Sequence, residues 1–135
     1  MENLTKAIVS KFKGSRASAL VNGRFFEDLA EPKTPYPYIV WLIVSSDDED
    51  TFTEDNENTY VQFSIFSSNS GSVEIKAIYK QLCLLFKGCR LRTVDGDYLK
   101  VIKKSLVTNI EDVTTTEGTT TVRHWAVDFE VLTET

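Results

Sequence analysis

At 135 residues, 41% hydrophobic and 26% charged, the chain fits one globular domain over 1–135 that can bury a real core, and it is too short for two. The longest apolar runs fall short of the ~18 residues of a membrane span, and no basic start leads into a signal-like apolar stretch, so a soluble protein made inside a cell is expected. The net charge of −5 is concentrated: residues 1–46 hold six bases and four acids, 58–135 hold nine of each, and 47–57 hold seven acids and no base. That balance excludes DNA wrapping and polybasic membrane binding, both of which need a cationic surface.

In chain order, Leu4, Ala7, Ile8 and Phe12 fall at helical spacing, with Asn3 as a cap and Gly14-Ser15 as a stop. Asn22-Gly23 signals a turn, and Arg24 to Phe26 has the composition of a short strand. Pro32, Pro35 and Pro37 hold the next connection extended, and Tyr36-Pro37 is a candidate cis bond. Tyr38 to Val44 is an unbroken apolar run, which predicts a central strand covered on both faces. Tyr60 to Phe66 alternates, with Val61, Phe63 and Ile65 on one side and Gln62 and Ser64 on the other, so it predicts a half-buried strand.

Ser67 to Ser72 reads as loop. Val73 to Phe86 sets Ile75, Ile78, Leu82, Leu85 and Phe86 on one stripe and ends at Gly88, which predicts a second helix. Beyond the Asp95-Gly96 turn, Tyr98 to Ile110 is rich in β-branched residues, and its length predicts a bulge or bend. A Thr-rich linker centred on Glu117-Gly118 leads to Val122–Val131, which alternates Trp125, Val127, Phe129 and Val131 with His124, Ala126, Asp128 and Glu130. The order α-β-β-α-β-β predicts an α+β domain: an antiparallel sheet of about four strands, mixed pairing being allowed, with two helices on one face.

The residues offer little chemistry. His124 is the sole histidine and falls at an outward parity near Asp128, where it reads as a surface residue rather than a base. Cys83 and Cys89 lack zinc-ligand spacing and have no histidine nearby in sequence; they read as small core or boundary residues. Ser67 to Gly71 lacks the glycines and Gly-Lys-Ser/Thr ending of a phosphate loop. No cofactor or metal is expected. The acidic segment is the one feature that stands out: Asp47, Asp48, Glu49, Asp50, Glu54, Asp55 and Glu57 without the glycine and terminal glutamate of a calcium loop. It is expected to be a flexible, solvated connection whose field would repel passing DNA.

The whole chain resembles the tail-completion, tail-terminator or tail-to-head joining proteins of long-tailed bacteriophages. The resemblance is carried by the N-terminal helix, PYPYIVWLIV entering a long strand, TYVQFSIFSS, the helix GSVEIKAIYKQLCLLF and the last strand VRHWAVDFEV. It implies a non-enzymatic virion subunit, assembled in the host bacterial cytoplasm, that forms a homo-hexameric ring at the head-proximal end of the tail. Its implied partners are the tail tube protein and the head connector or stopper, with DNA passing through the channel without sequence-specific binding and no membrane contact. The acidic residues are then candidates for an assembly or lumen loop. Three alternatives stay open: a head-side stopper or adaptor of the same connector, a cellular protein-binding adaptor, and a small enzyme using the acidic carboxylates.

Overall fold

A computed structural model describes residues 2–45, 58–68, 71–92, 98–115 and 118–134. The elements are α1 (Glu2–Phe12), α2 (Arg16–Leu20), β1 (Phe25–Glu27), β2 (Tyr38–Ser45), β3 (Asn58–Ser67), α3 (Val73–Phe86), β4 (Arg90–Arg92), β5 (Tyr98–Thr115) and β6 (Gly118–Glu134). They form an α+β structure whose sheet runs β1-β2-β3-β6-β5-β4.

Three expectations need correction. The sheet has six strands, and the described residues contain three helices, because short segments carry too little periodicity to read. α2 is five residues long, opened by Ser15, whose Oγ accepts from Ser18 N at 3.1 Å and donates to Phe12 O at 2.6 Å. One side chain thus closes α1 and caps α2. The mixed pairing that the sequence allowed is present: β1 pairs β2 in parallel, the other pairs being antiparallel. Arg24 anchors this edge, donating from its guanidinium to Pro37 O (3.0 Å) and Tyr36 O (3.2 Å) around the cis Tyr36-Pro37 bond.

The third correction concerns β2. It lies second from an edge rather than at the centre, and the described helices cover only one of its faces. Ile39 and Trp41 are fully buried against the helices, whereas Val44 on the opposite face is 43% exposed. The centre belongs to β3 and β6, where Phe63 packs on Phe86 (4.9 Å between ring centroids) and edge-on to Phe129 (5.6 Å). Into the same core α1 sends Leu4, Ala7, Ile8 and Phe12, and α3 sends Ile75, Ile78, Leu82 and Phe86. Each such side chain larger than Ala7 contributes roughly 1.5–3 kcal/mol by leaving water.

The Thr-rich linker is strand, not connection. β5 and β6 pair from Tyr98↔Glu134 to Thr115↔Gly118, with the expected irregularity between Lys103 and Ser105. β3 stops pairing at Ser67↔Arg123, so the last five pairs, Glu111↔Val122 to Thr115↔Gly118, project as a two-stranded arm. At ~3.4 Å per residue it reaches about 17 Å past the sheet. The expected Asp95-Gly96 turn lies outside the described residues.

Candidate functional site

The three described helices lie on one face, and among the described residues no helix covers the opposite face of the sheet, where Ser64 and Glu130 are nonetheless buried. In register, the helix-free positions are Tyr38, Val40, Leu42 and Val44 on β2, Tyr60, Gln62, Ser64 and Phe66 on β3, and His124, Ala126, Asp128 and Glu130 on β6. A one-sided sheet ordinarily alternates apolar with polar residues. β3 and β6 largely do so, but β2 does not, since all four of its helix-free residues are apolar or aromatic.

An aromatic row crosses four strands at the arm end of this face. Phe26 meets Tyr38 edge-on at 6.4 Å, Tyr38 stacks on Tyr36 (5.3 Å) and on Phe66 (4.9 Å), and Phe66 stacks on His124 at 4.3 Å. Burial among these rings pushes the Tyr38 hydroxyl pKa up, the neighbouring Tyr36 adding to the effect. The row ends at the arm root, where His124 Nδ1 lies 3.6 Å from Glu111 Oε1. Below it, Asp128 accepts from Gln62 Nε2 (3.1 Å) and from Ser105 Oγ (3.0 Å), which ties β3, β6 and β5 together in register. The bulge before Ser105 turns that hydroxyl toward Asp128.

His124 therefore stands on an interior strand, its side chain 26% exposed, and among the described residues Nε2 has no hydrogen-bond partner. Cys83 and Cys89 are free and half-buried, and burial pushes the Cys89 thiol up, opposed in part by Lys11. A thiol held protonated is a poor nucleophile. Among the described residues no group of three His, Cys, Asp or Glu is placed to hold a metal ion, and no helix is long and apolar enough to cross a membrane. Asp47, Asp48, Glu49, Asp50, Glu54, Asp55 and Glu57 all lie outside the described residues.

Two features escaped sequence reasoning. The aromatic row joins residues from four separate segments, and only pairing register brings them together. The arm did carry a signal: runs of β-branched Thr flank a two-residue Thr116-Glu117 interval, which is hairpin spacing.

The site thus defines a structural subunit with an open apolar and aromatic sheet face and a projecting arm. The chain belongs to the Tail completion protein gp17 family, whose family model matches residues 6–88, more than half its length. It is a structural, tail-completion protein of the bacteriophage virion, from a family not known for enzymes. Its fold is similar to a chain in the virion of a native gene transfer agent particle, at TM-score 0.69 and 12% identity, covering 99% of this chain and 96% of that one. A second solved structure, of a protein without a descriptive name, is similar at TM-score 0.56 and 13% identity, covering 97% of each chain. No curated protein matches by sequence.

Proposed function

We propose that this single-domain subunit closes into a ring, six copies around the tail axis, at the head-proximal end of the tail. The ring ends growth of the tail tube, offers a docking surface to the head connector or stopper, and leaves an axial channel for DNA. Assembly takes place in the host bacterial cytoplasm. The observation that carries this reading is the helix-free face: Tyr38, Val40, Leu42 and Val44 together with the row Phe26, Tyr36, Phe66 and His124 are apolar or aromatic on a side that no described helix covers, and Val44 there is 43% exposed.

A second copy is the occupant that suits the geometry. A head-to-tail ring needs two different patches per subunit, and the open face and the arm are two such patches. An arm about 17 Å long, with Val122 buried at its root, has among the described residues no third strand or packed helix beside it, which a hairpin needs for independent stability. Seated on a neighbour it gains one, and aromatic side chains suit such contacts because they bury large area at low rotamer cost.

The test is incorporation of Leu42→Lys and Val44→Lys into tails. Both are expected to fold and to be missing from purified particles. Incorporation at the parent level by both variants refutes the face as a subunit contact.

A further inference from the structure

The two edges of the sheet carry complementary features. On one edge, β1 ends at Glu27 and a tight turn follows: Asp28 N donates to Trp41 O and Leu29 N to Glu27 O, both at 2.8 Å, with Asp28 at φ 68°. A short polar side chain tolerates that left-handed conformation. The turn throws Leu29 into solvent at 82% exposure, the highest of any large apolar side chain among the described residues. Glu27, Asp28 and Glu31 around it are exposed as well, and they outnumber Lys33, the base of the same loop. The result is an apolar knob with a carboxylate rim.

At the other edge, α3 and β5 enclose an open cleft of about 430 Å³ lined by Tyr79, Lys80, Cys83, Leu84, Lys87 and Lys103. β4 pairs with β5 only from Tyr98 to Lys100, so at Lys103 β5 is itself the outermost strand. Lys103 is fixed in place: its ammonium donates to the Tyr79 hydroxyl and lies 4.9 Å from the centre of that ring. Tyr79 is in turn set edge-on against Trp125 at 5.6 Å. Lys80 and Lys87 have no side-chain partner among the described residues, and Leu84 between them is 69% exposed. The one acid of α3, Glu74, is occupied in accepting from Ser67 Oγ at 2.6 Å. The cleft is therefore cationic with an apolar wall, the inverse of the knob.

Knob and cleft also stand at nearly the same height along the strands. The row of Glu27 and Trp41 continues through Phe63 and Val127 to Leu106, and the next row on that face, Ile43, Val61 and Phe129, ends at Lys103. Two residues, ~7 Å, separate the rows. Across the sheet, four strand spacings, ~19 Å, separate β1 from β5, and α3 lies over the strands between, so the two features of one chain do not meet.

We infer that the Leu29 knob of one copy seats in the α3–β5 cleft of the next, with the leucine against Leu84 and Tyr79 and with Glu27 and Glu31 facing Lys80 and Lys87. This rests on the ring reading above. A head-to-tail ring brings opposite edges of successive subunits together, and rotation about an axis along the strands keeps features of equal height level. The arm contact runs the same way, setting β5 and β6 of one copy against β2 of the next, so both contacts belong to one interface. An apolar anchor in a pocket supplies affinity, and opposite charges around it fix which patches meet.

Cys83 lines the cleft, so a thiol placed on the knob reports the contact directly. Tails carrying Leu29→Cys/Cys89→Ser are purified, oxidised with copper phenanthroline and run on a non-reducing gel. The expected result is a ladder of cross-linked chains reaching six, abolished by adding Cys83→Ser. Normal incorporation without a Cys83-dependent cross-link overturns the inference and leaves the ring standing. Cross-linking that stops at two chains marks a reciprocal two-fold contact; the ring reading then fails first and the inference falls with it. Incorporation at about 150 mM salt reads the rim: Lys80→Glu/Lys87→Glu and Glu27→Lys/Glu31→Lys are each expected to fall about tenfold, as for two surface ion pairs, and the four changes combined to recover most of the loss. Unchanged helical circular dichroism and urea midpoints of the isolated chains separate lost contact from misfolding. Parent-level incorporation of both pairs overturns the inference. Loss with no recovery in the combined variant also overturns it, and assigns the cleft to another anion such as an acidic surface of a tail partner or DNA.

Discussion

Replacing Trp41 by Ala tests the assignment of faces along β2, because the residue three positions on, Val44, belongs to the opposite side. Trp41 is 1% exposed, faces the helices and stacks on Phe25 at 5.8 Å. Phe25 in turn stacks on Phe12 of α1, so the indole joins helix and sheet. Its removal leaves a large cavity and is expected to cost about 3–5 kcal/mol. Against a domain stability of roughly 5–15 kcal/mol, that is about a fifth of the total or more. With a urea slope of about 2 kcal/mol per molar, the midpoint should fall by roughly 2 M. Val44→Lys on the helix-free face should change stability by no more than about 0.5 kcal/mol. Both are read from urea titrations of the isolated chain by circular dichroism, which does not depend on the lost fluorophore. Equal losses from the two substitutions would refute the face assignment, and with it the reason for placing the assembly contact where Val44 lies.

Other outcomes follow from the same geometry. Removing 112–121 and joining Glu111 to Val122 through Asn-Gly should lower the monomer's melting temperature by less than about 3 °C, since the described residues of that stretch are mostly exposed, but should abolish incorporation into tails. His124→Ala loses its stack on Phe66 and should cost about 1 kcal/mol in a urea titration. The raised thiol of Cys89 and raised hydroxyl of Tyr38 keep their protons in the folded chain at pH values where the unfolded chain has already lost them. Stability therefore falls as pH rises above the ordinary thiol value of 9.0, and in a Cys83→Ser background alkylation of Cys89 should reach half its maximal rate above that pH. A half-maximal rate at or below 9.0 would contradict the burial of that thiol.

Much of the fold was legible because long periodic segments dominate it. α3 spans Val73–Phe86 as its apolar stripe indicates, and β3 alternates as its sequence does. The errors have physical causes. Tyr38 to Val44 lacks polar residues on either parity, the pattern of a strand buried on both sides. The described helices cover one side of β2 only, so a two-sided pattern stands in a one-sided position, which is the ground for proposing a contact there. β1 and β4, three residues each, depend on neighbouring strands for their hydrogen bonds and have no pattern of their own. The Thr-rich arm resembles a linker by polarity and a strand by β-branching, and the pairing of β5 with β6 decides between them. The aromatic row could not be read at all, since Phe26, Tyr38, Phe66 and His124 meet only through register.

The most direct measurement is a cryo-microscopy reconstruction of intact particles, focused on the junction of head and tail. The account predicts six copies of this chain in a closed ring around the tail axis, each with its helix-free face and arm against a neighbour and with an open channel at the centre. A chain absent from that junction, or present there as an isolated two-fold dimer, would contradict it.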